Sequence, residues 1–195
     1  MTKFRGFVLL IGIIPLLLAC QDRPEVIKDL SEASFKVVNQ DSSTVNFPQD
    51  FKGKYTIVGF IYTHCPDVCP VISAKLSNVN KQLEDNSDVQ FVQITFDPKR
   101  DTPSVLKKYM QQFKQDKQNF TAITGDSATI DTLLSSMDIL AKIADKKITE
   151  NGEETYLMNH TNRILVMDKQ ARVRYEYPGS VVKEEHVIDD LNALR

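Results

Sequence analysis

Tyr55-Thr-Ile-Val-Gly-Phe-Ile-Tyr-Thr-His-Cys-Pro-Asp-Val-Cys-Pro70 is the stretch on which the fold turns. Its first half, to Tyr62, is apolar and rich in β-branched residues, as expected of a strand buried on both faces. Thr63 to Pro70 breaks that run with two prolines and two cysteines. A helical pattern then follows from Val71 to Leu83, with Ile72, Leu76, Val79 and Leu83 on one face. Val89-Gln-Phe-Val-Gln-Ile-Thr-Phe96 reads as a second buried strand. Asp97-Pro-Lys-Arg-Asp-Thr-Pro103 opens a second helix, with Thr102 at the N-cap and Pro103 at the first helical position. Strand, helix, strand, helix in this order predicts parallel strands with helices covering the sheet.

Outward from this unit the pattern continues. Upstream, Phe35–Val38 and Thr44–Phe47 alternate across Asn39-Gln-Asp-Ser-Ser43 and predict a β-hairpin. Downstream come a short strand at Phe120–Ile123 and a helix from Ser127 to Leu140. Two strands follow, Arg163–Met167 and Arg172–Tyr177, joined by a turn at Asp168-Lys-Gln170, and a helix from Val182 to Leu194 closes the chain. Parallel strands first and an antiparallel pair last, with cysteines at the first strand-to-helix junction, define an α/β class. The expected architecture is a thioredoxin-like fold: a central mixed sheet flanked by helices, with an N-terminal β-hairpin.

The first residues obey different rules. Lys3 and Arg5 precede an uncharged apolar run from Phe7 to Ala19, too short for a comfortable bilayer span but suited to a signal peptide. It ends in Leu17-Leu-Ala-Cys20, which resembles a bacterial lipobox and makes Cys20 the expected lipidation site. The expected organisation is therefore a lipoprotein signal peptide over 1–19, a lipid-anchored linker over 20–31 and one domain over 32–195. That places the protein on the extracytoplasmic face of a bacterial membrane. An uncleaved apolar anchor would put the domain in the same place. The 195 residues carry a net charge of -2, with 42% hydrophobic and 26% charged residues. This balance gives no electrostatic case for nucleic acid and none for disorder.

Cys65 and Cys69 remain once Cys20 is assigned to the membrane. They form a C-x-x-x-C where a buried strand yields to a helix, and a helix N-terminus lowers thiol pKa values. A structural disulfide closing so short a loop would remove little unfolded-state entropy. Reactive thiols or metal ligands suit the position better. Of the histidines, His160 lies just before the strand at Arg163, where the sheet of such a fold can bring it opposite the cysteines. On spacing alone it is either structural or a ligand. His64 adjoins Cys65 and is expected to diverge from it; His186, among Lys183, Glu184 and Glu185, reads as a solvated position. Two thiolates and an imidazole would form a soft set suited to copper(I) or copper(II), without the fourth ligand of structural zinc.

Three segments, Cys65-Pro-Asp-Val-Cys-Pro70, Asp97-Pro-Lys-Arg-Asp-Thr-Pro103 and Tyr156-x-x-x-His160-Thr, resemble in order and spacing the signatures of the Sco/SenC family. The resemblance implies a membrane-anchored metallochaperone binding one copper through Cys65, Cys69 and His160. It implies delivery to, or preparation of, the dinuclear copper centre of cytochrome c oxidase, with that oxidase subunit and a thiol reductant or copper donor as partners. It also implies that Asp97 lies near the site, supporting a copper(II) state or partner docking, with a plain capping or turn role as the alternative. The chief alternative is a thiol–disulfide oxidoreductase acting on partner cysteines through the same redox-active pair. A peroxidase of the same fold is disfavoured, because the P-x-x-x-T-x-x-C pattern is absent. Members of that family commonly use a transmembrane anchor, and this chain departs from them in its lipobox.

Overall fold

The computed structural model describes residues 24–148, 152 and 154–195. The expected signal peptide and Cys20 lie outside the described residues. No helix among those described is long and apolar enough to cross a membrane.

The strands are β1 (Lys28–Asp29), β2 (Phe35–Asn39), β3 (Thr44–Phe47), β4 (Tyr55–Ile61), β5 (Val89–Thr95), β6 (Phe120–Thr124), β7 (Ala141–Ile148), β8 (Glu154–His160), β9 (Arg163–Met167) and β10 (Arg172–Pro178). The helices are α1 (Val68–Gln82), α2 (Pro103–Gln112), α3 (Ser127–Ser136) and α4 (Glu184–Leu194). Eight strands form one sheet in the order β1-β10-β9-β4-β5-β6-β2-β3, while β7 and β8 form a separate two-stranded sheet. β4, β5 and β6 are parallel; β9 runs antiparallel to β4, and β2 antiparallel to β6. This is the mixed, helix-flanked sheet and the N-terminal hairpin that the sequence predicts.

Every residue of β4 and β5 is buried, which explains why both read as unbroken apolar runs. α1 lies directly over β4. A Cβ on Gly59 would sit 2.8 Å from Ile72 Cγ2 and 3.0 Å from Leu76 Cδ1, so glycine is what allows the helix this close. Ile72, Leu76, Val79 and Leu83 are buried as the periodicity predicts. Thr102 and Pro103 occupy the N-cap and first turn of α2.

Three differences from the sequence reading have local causes. α1 begins one turn earlier than Val71, at Val68, because Pro70 is tolerated in a first turn that needs no amide there. α3 stops at Ser136, short of Leu140. Asp138 adopts φ 55°, and the amides of Met137 and Ile139 both fold back onto the Leu134 carbonyl. Part of the segment assigned to the linker is built into the sheet. β1 pairs with β10, Leu30 is buried, and Arg174 Nε donates to the Pro24 carbonyl at 2.9 Å.

Candidate metal centre

The parallel strands β4 and β5 end side by side, and open α/β sheets bind ligands beyond the carboxyl ends of their strands. β4 leads into the loop carrying Cys65, and Cys69 falls in the first turn of α1. The third residue comes from the other direction. β9 pairs with β4 so that Ile164 lies opposite Gly59, which carries the preceding His160 back to the same end of the sheet.

There the ligand atoms of Cys65, Cys69 and His160 all lie within 4.8 Å of one another, a convergence found in no other His, Cys, Asp or Glu group among the described residues. Both thiols are free and buried, Cys69 completely and Cys65 with 8% exposure. His160 Nε2 stands 3.9 Å from Cys69 Sγ.

The helix terminus is capped by sulfur. The Asp67 side chain makes no capping bond; instead Cys65 Sγ accepts from the backbone amide of Cys69 at 3.5 Å. A thiolate there meets the unpaired amides and positive end of α1. The Cys65 pKa is lowered to about 3, first because the Cys69 thiol donates to it, then through His160 and the amides of Cys69 and Asp67, with burial opposing. Cys69 moves the other way, held protonated by its bond to Cys65 and by burial. The reduced pair thus gives up one proton readily, from the more exposed sulfur.

His160 turns one ring nitrogen towards the sulfurs. Its Nδ1 lies 3.1 Å from the Thr161 carbonyl, a bond only an Nδ1–H can make, so in the neutral ring the Nε2 that faces the sulfurs is the nitrogen with the lone pair. The ring packs on Phe96 at 4.4 Å between centroids and meets Tyr62 edge-on at 5.8 Å. Burial alone would lower its pKa; the Cys65 sulfur and the Thr161 carbonyl outweigh that, and the net shift is upward. Thr161 also closes the base of the hairpin, exchanging bonds of 2.8 and 3.0 Å with Leu140.

The remaining sequence candidates fall outside this cluster. His64 is exposed, its Nδ1 3.1 Å from Thr63 Oγ1. His186 is exposed on α4. Asp97, only 3% exposed, spends both carboxylate oxygens on neighbours: Oδ1 accepts from the Tyr156 hydroxyl at 2.7 Å, and Oδ2 pairs with Arg100. Asp101, fully buried, accepts from Thr63 N at 3.0 Å, Thr63 Oγ1 at 2.6 Å and Thr95 Oγ1 at 2.5 Å, fastening the cysteine loop to the end of β5. Arg100 and Asp101 carry no functional reading from sequence alone, although both lie inside the Asp97–Pro103 segment that drew attention to itself.

Comparison with known proteins agrees with this geometry. An SCO2-like protein of Rickettsia prowazekii is 30% identical over 139 residues, 71% of this chain and 64% of that protein. The chain therefore spans somewhat less than two thirds of that relative. The structure of ScoI from Bradyrhizobium japonicum with copper bound superposes with a TM-score of 0.71 at 31% identity, covering 83% of this chain and 98% of that one. A SCO1/SenC family lipoprotein from Bacillus anthracis gives 0.72 at 28% identity, covering 89% and 98%. The SCO1/SenC family model itself matches residues 25–194, from the edge strand to the closing helix and across all three converging side chains, and the chain belongs to that family.

Proposed function

We infer that this protein binds one copper ion through Cys65, Cys69 and His160 and delivers it to, or prepares, the dinuclear copper centre of cytochrome c oxidase. The observation that carries the reading is the convergence of two sulfurs and an imidazole nitrogen, Nε2, that faces them. Thiolates select copper(I), and the added imidazole suits copper(II), so the donor set fits copper in either state. Three ligands leave a coordination position free for a receiving protein, which suits cargo that must leave again. Copper in the related ScoI of Bradyrhizobium japonicum supports the assignment. Loading requires loss of the thiol protons, so copper uptake releases protons and competes with acid. The test is copper binding by the reduced protein, set beside the protein oxidised to its Cys65–Cys69 disulfide.

The partners on this reading are the copper-bearing oxidase subunit and a thiol reductant or copper donor. Thiol–disulfide exchange on partner cysteines is the second reading, favoured by one specific feature, the low pKa of the more exposed Cys65. The two differ in their need for His160, which disulfide exchange does not use.

The domain works at the extracytoplasmic face of a bacterial membrane, held as a lipoprotein through Cys20 after removal of 1–19. The Leu17–Cys20 lipobox and the related Bacillus anthracis lipoprotein support this. Cys20→Ser is expected to abolish incorporation of labelled fatty acid in the host; undiminished labelling of that variant would refute the anchor.

A further inference from the structure

The two halves of the centre come from elements that share no strand pairing. Cys65 sits on the β4–α1 loop and Cys69 in the first turn of α1, both against the main sheet. His160 ends β8, in the separate β7–β8 hairpin, whose first strand is almost wholly exposed. A histidine on so lightly packed an element needs something to hold it at the sulfurs. The segment 97–101 reaches both sides. Asp101 grips Thr63, at the start of the cysteine loop. Two residues of this same turn grip the hairpin through three contacts with Tyr156: Arg100 Nη1 donates to the Tyr156 carbonyl at 3.0 Å, the Arg100 guanidinium lies 3.5 Å from the centre of the Tyr156 ring, and Asp97 receives the Tyr156 hydroxyl. The turn is closed on itself by the amides of Arg100 and Asp101, which both donate to the Asp97 carbonyl, and by the Arg100–Asp97 ion pair.

Arg100 is an expensive residue to keep here. Its side chain is only 17% exposed, and its Nη2 is buried without a partner among the described residues. A Leu or Met at position 100 would avoid that desolvation cost. What the guanidinium supplies instead is a planar fork that can bond a carboxylate, bond a carbonyl and stack on a ring at once.

We propose that Arg100, braced by Asp97, is a positioning residue that latches Tyr156 and so sets whether His160 reaches the two sulfurs. The Asp97–Asp101 turn is then a bracket joining the cysteine loop to the histidine hairpin. Asp97 acts through Arg100 and Tyr156, which engage both of its carboxylate oxygens. Tyr156 lies four residues before His160 on the same strand, so both side chains leave the same face and a shift of one carries the other.

The proposal rests on the copper reading for one arm of its test and on metal-free protein for the other. In metal-free protein, Arg100→Met is expected to speed hydrogen exchange at the amides of 154–160 by tenfold or more while leaving 55–61 unchanged. In the copper(II) complex the same variant is expected to lose nitrogen hyperfine coupling and tenfold or more in affinity, with Cys65–Cys69 disulfide formation unaffected. Arg100→Lys should restore part of both, because it keeps the charge on Asp97 but not the stacked fork. Adding His160→Ala to Arg100→Met should weaken copper(II) binding no further than His160→Ala alone. Unchanged exchange in 154–160, parental nitrogen coupling, or additive losses in the double variant would each overturn the latch. Should Arg100→Met unfold, Tyr156→Phe decides: it removes only the bond to Asp97, and parental exchange together with parental copper(II) spectra would count against the proposal. If the parent itself binds no copper, the functional reading falls, and the exchange arm still decides the latch.

Discussion

His160→Ala is expected to strip the copper(II) complex of its nitrogen ligand while leaving the dithiol chemistry intact. Loss of a residue that merely supports a metal ligand costs roughly 10–100-fold in affinity; loss of the ligand itself should exceed that for copper(II). Copper(I) should be retained far better, because two thiolates satisfy it. The disulfide between Cys65 and Cys69 should still form, since the Cys69 thiol and the amides of Cys69 and Asp67 keep the Cys65 pKa lowered without the imidazole. In the host, oxidase assembly should fail first when copper is scarce. His64→Ala serves as the control and should behave like the parent, because His64 lies outside the cluster and bonds Thr63 instead. Parental copper(II) spectra and full oxidase assembly in His160→Ala would leave thiol–disulfide exchange as the better account.

The second large effect is in the pH profile of cysteine alkylation. An ordinary thiol, with a pKa near 8.5, loses thiolate roughly 10³-fold between pH 8 and pH 5, and its alkylation rate falls with it. Cys65 is lowered to about 3 by the Cys69 thiol, His160 and the amides at the start of α1, so it remains a thiolate throughout that range. Its alkylation by iodoacetamide in the reduced, metal-free protein should change by less than tenfold from pH 8 to pH 5. The absolute rate should be modest, because a low-pKa thiolate is a weaker nucleophile. Cys69, fully buried and holding its proton, should remain unlabelled while the protein is folded. A proportional fall in Cys65 labelling with acidity, mapped by mass spectrometry, would show that the helix terminus does not stabilise the charge.

Much of this architecture is written locally in the chain. β4 and β5 announce themselves because strands buried on both faces need unbroken apolar sequence, and α1 and α2 through their apolar faces and the Thr102-Pro103 start. The β7–β8 hairpin left no such mark. Ala141 to Ile148 is mostly exposed and rich in lysine, so no alternation of apolar and polar residues distinguishes it from a loop. The end of α3 depends on Asp138 in a left-handed conformation, a state that an aspartate does not declare in sequence.

The candidate centre divides in the same way. Cys65 and Cys69 are legible because their chemistry and their junction occur within five residues. His160 reaches them only through the antiparallel register of β9 on β4, a contact about a hundred residues away along the chain, which no local pattern encodes. Only the family resemblance singled it out in advance. Arg100 was opaque for another reason: a charged residue in a Pro- and Asp-rich turn reads as solvated, whereas here it is largely buried beneath Tyr156. The resemblance implies only that Asp97 lies near the site in support; its contacts with Tyr156 and Arg100, on distant and neighbouring parts of the chain, are not encoded in any local pattern.

The measurement that reaches the central claim most directly is an anaerobic copper titration of the reduced protein, repeated on the protein oxidised to its Cys65–Cys69 disulfide. Oxidation removes both sulfur donors at once and leaves His160 alone, so the two titrations should differ sharply. The account predicts one tightly bound copper per chain in the reduced protein, with thiolate-to-metal absorption in the copper(II) form, and only weak binding without that absorption after oxidation. Equal affinity in the two states, or a stoichiometry other than one, would place the copper elsewhere and contradict a centre built from Cys65, Cys69 and His160.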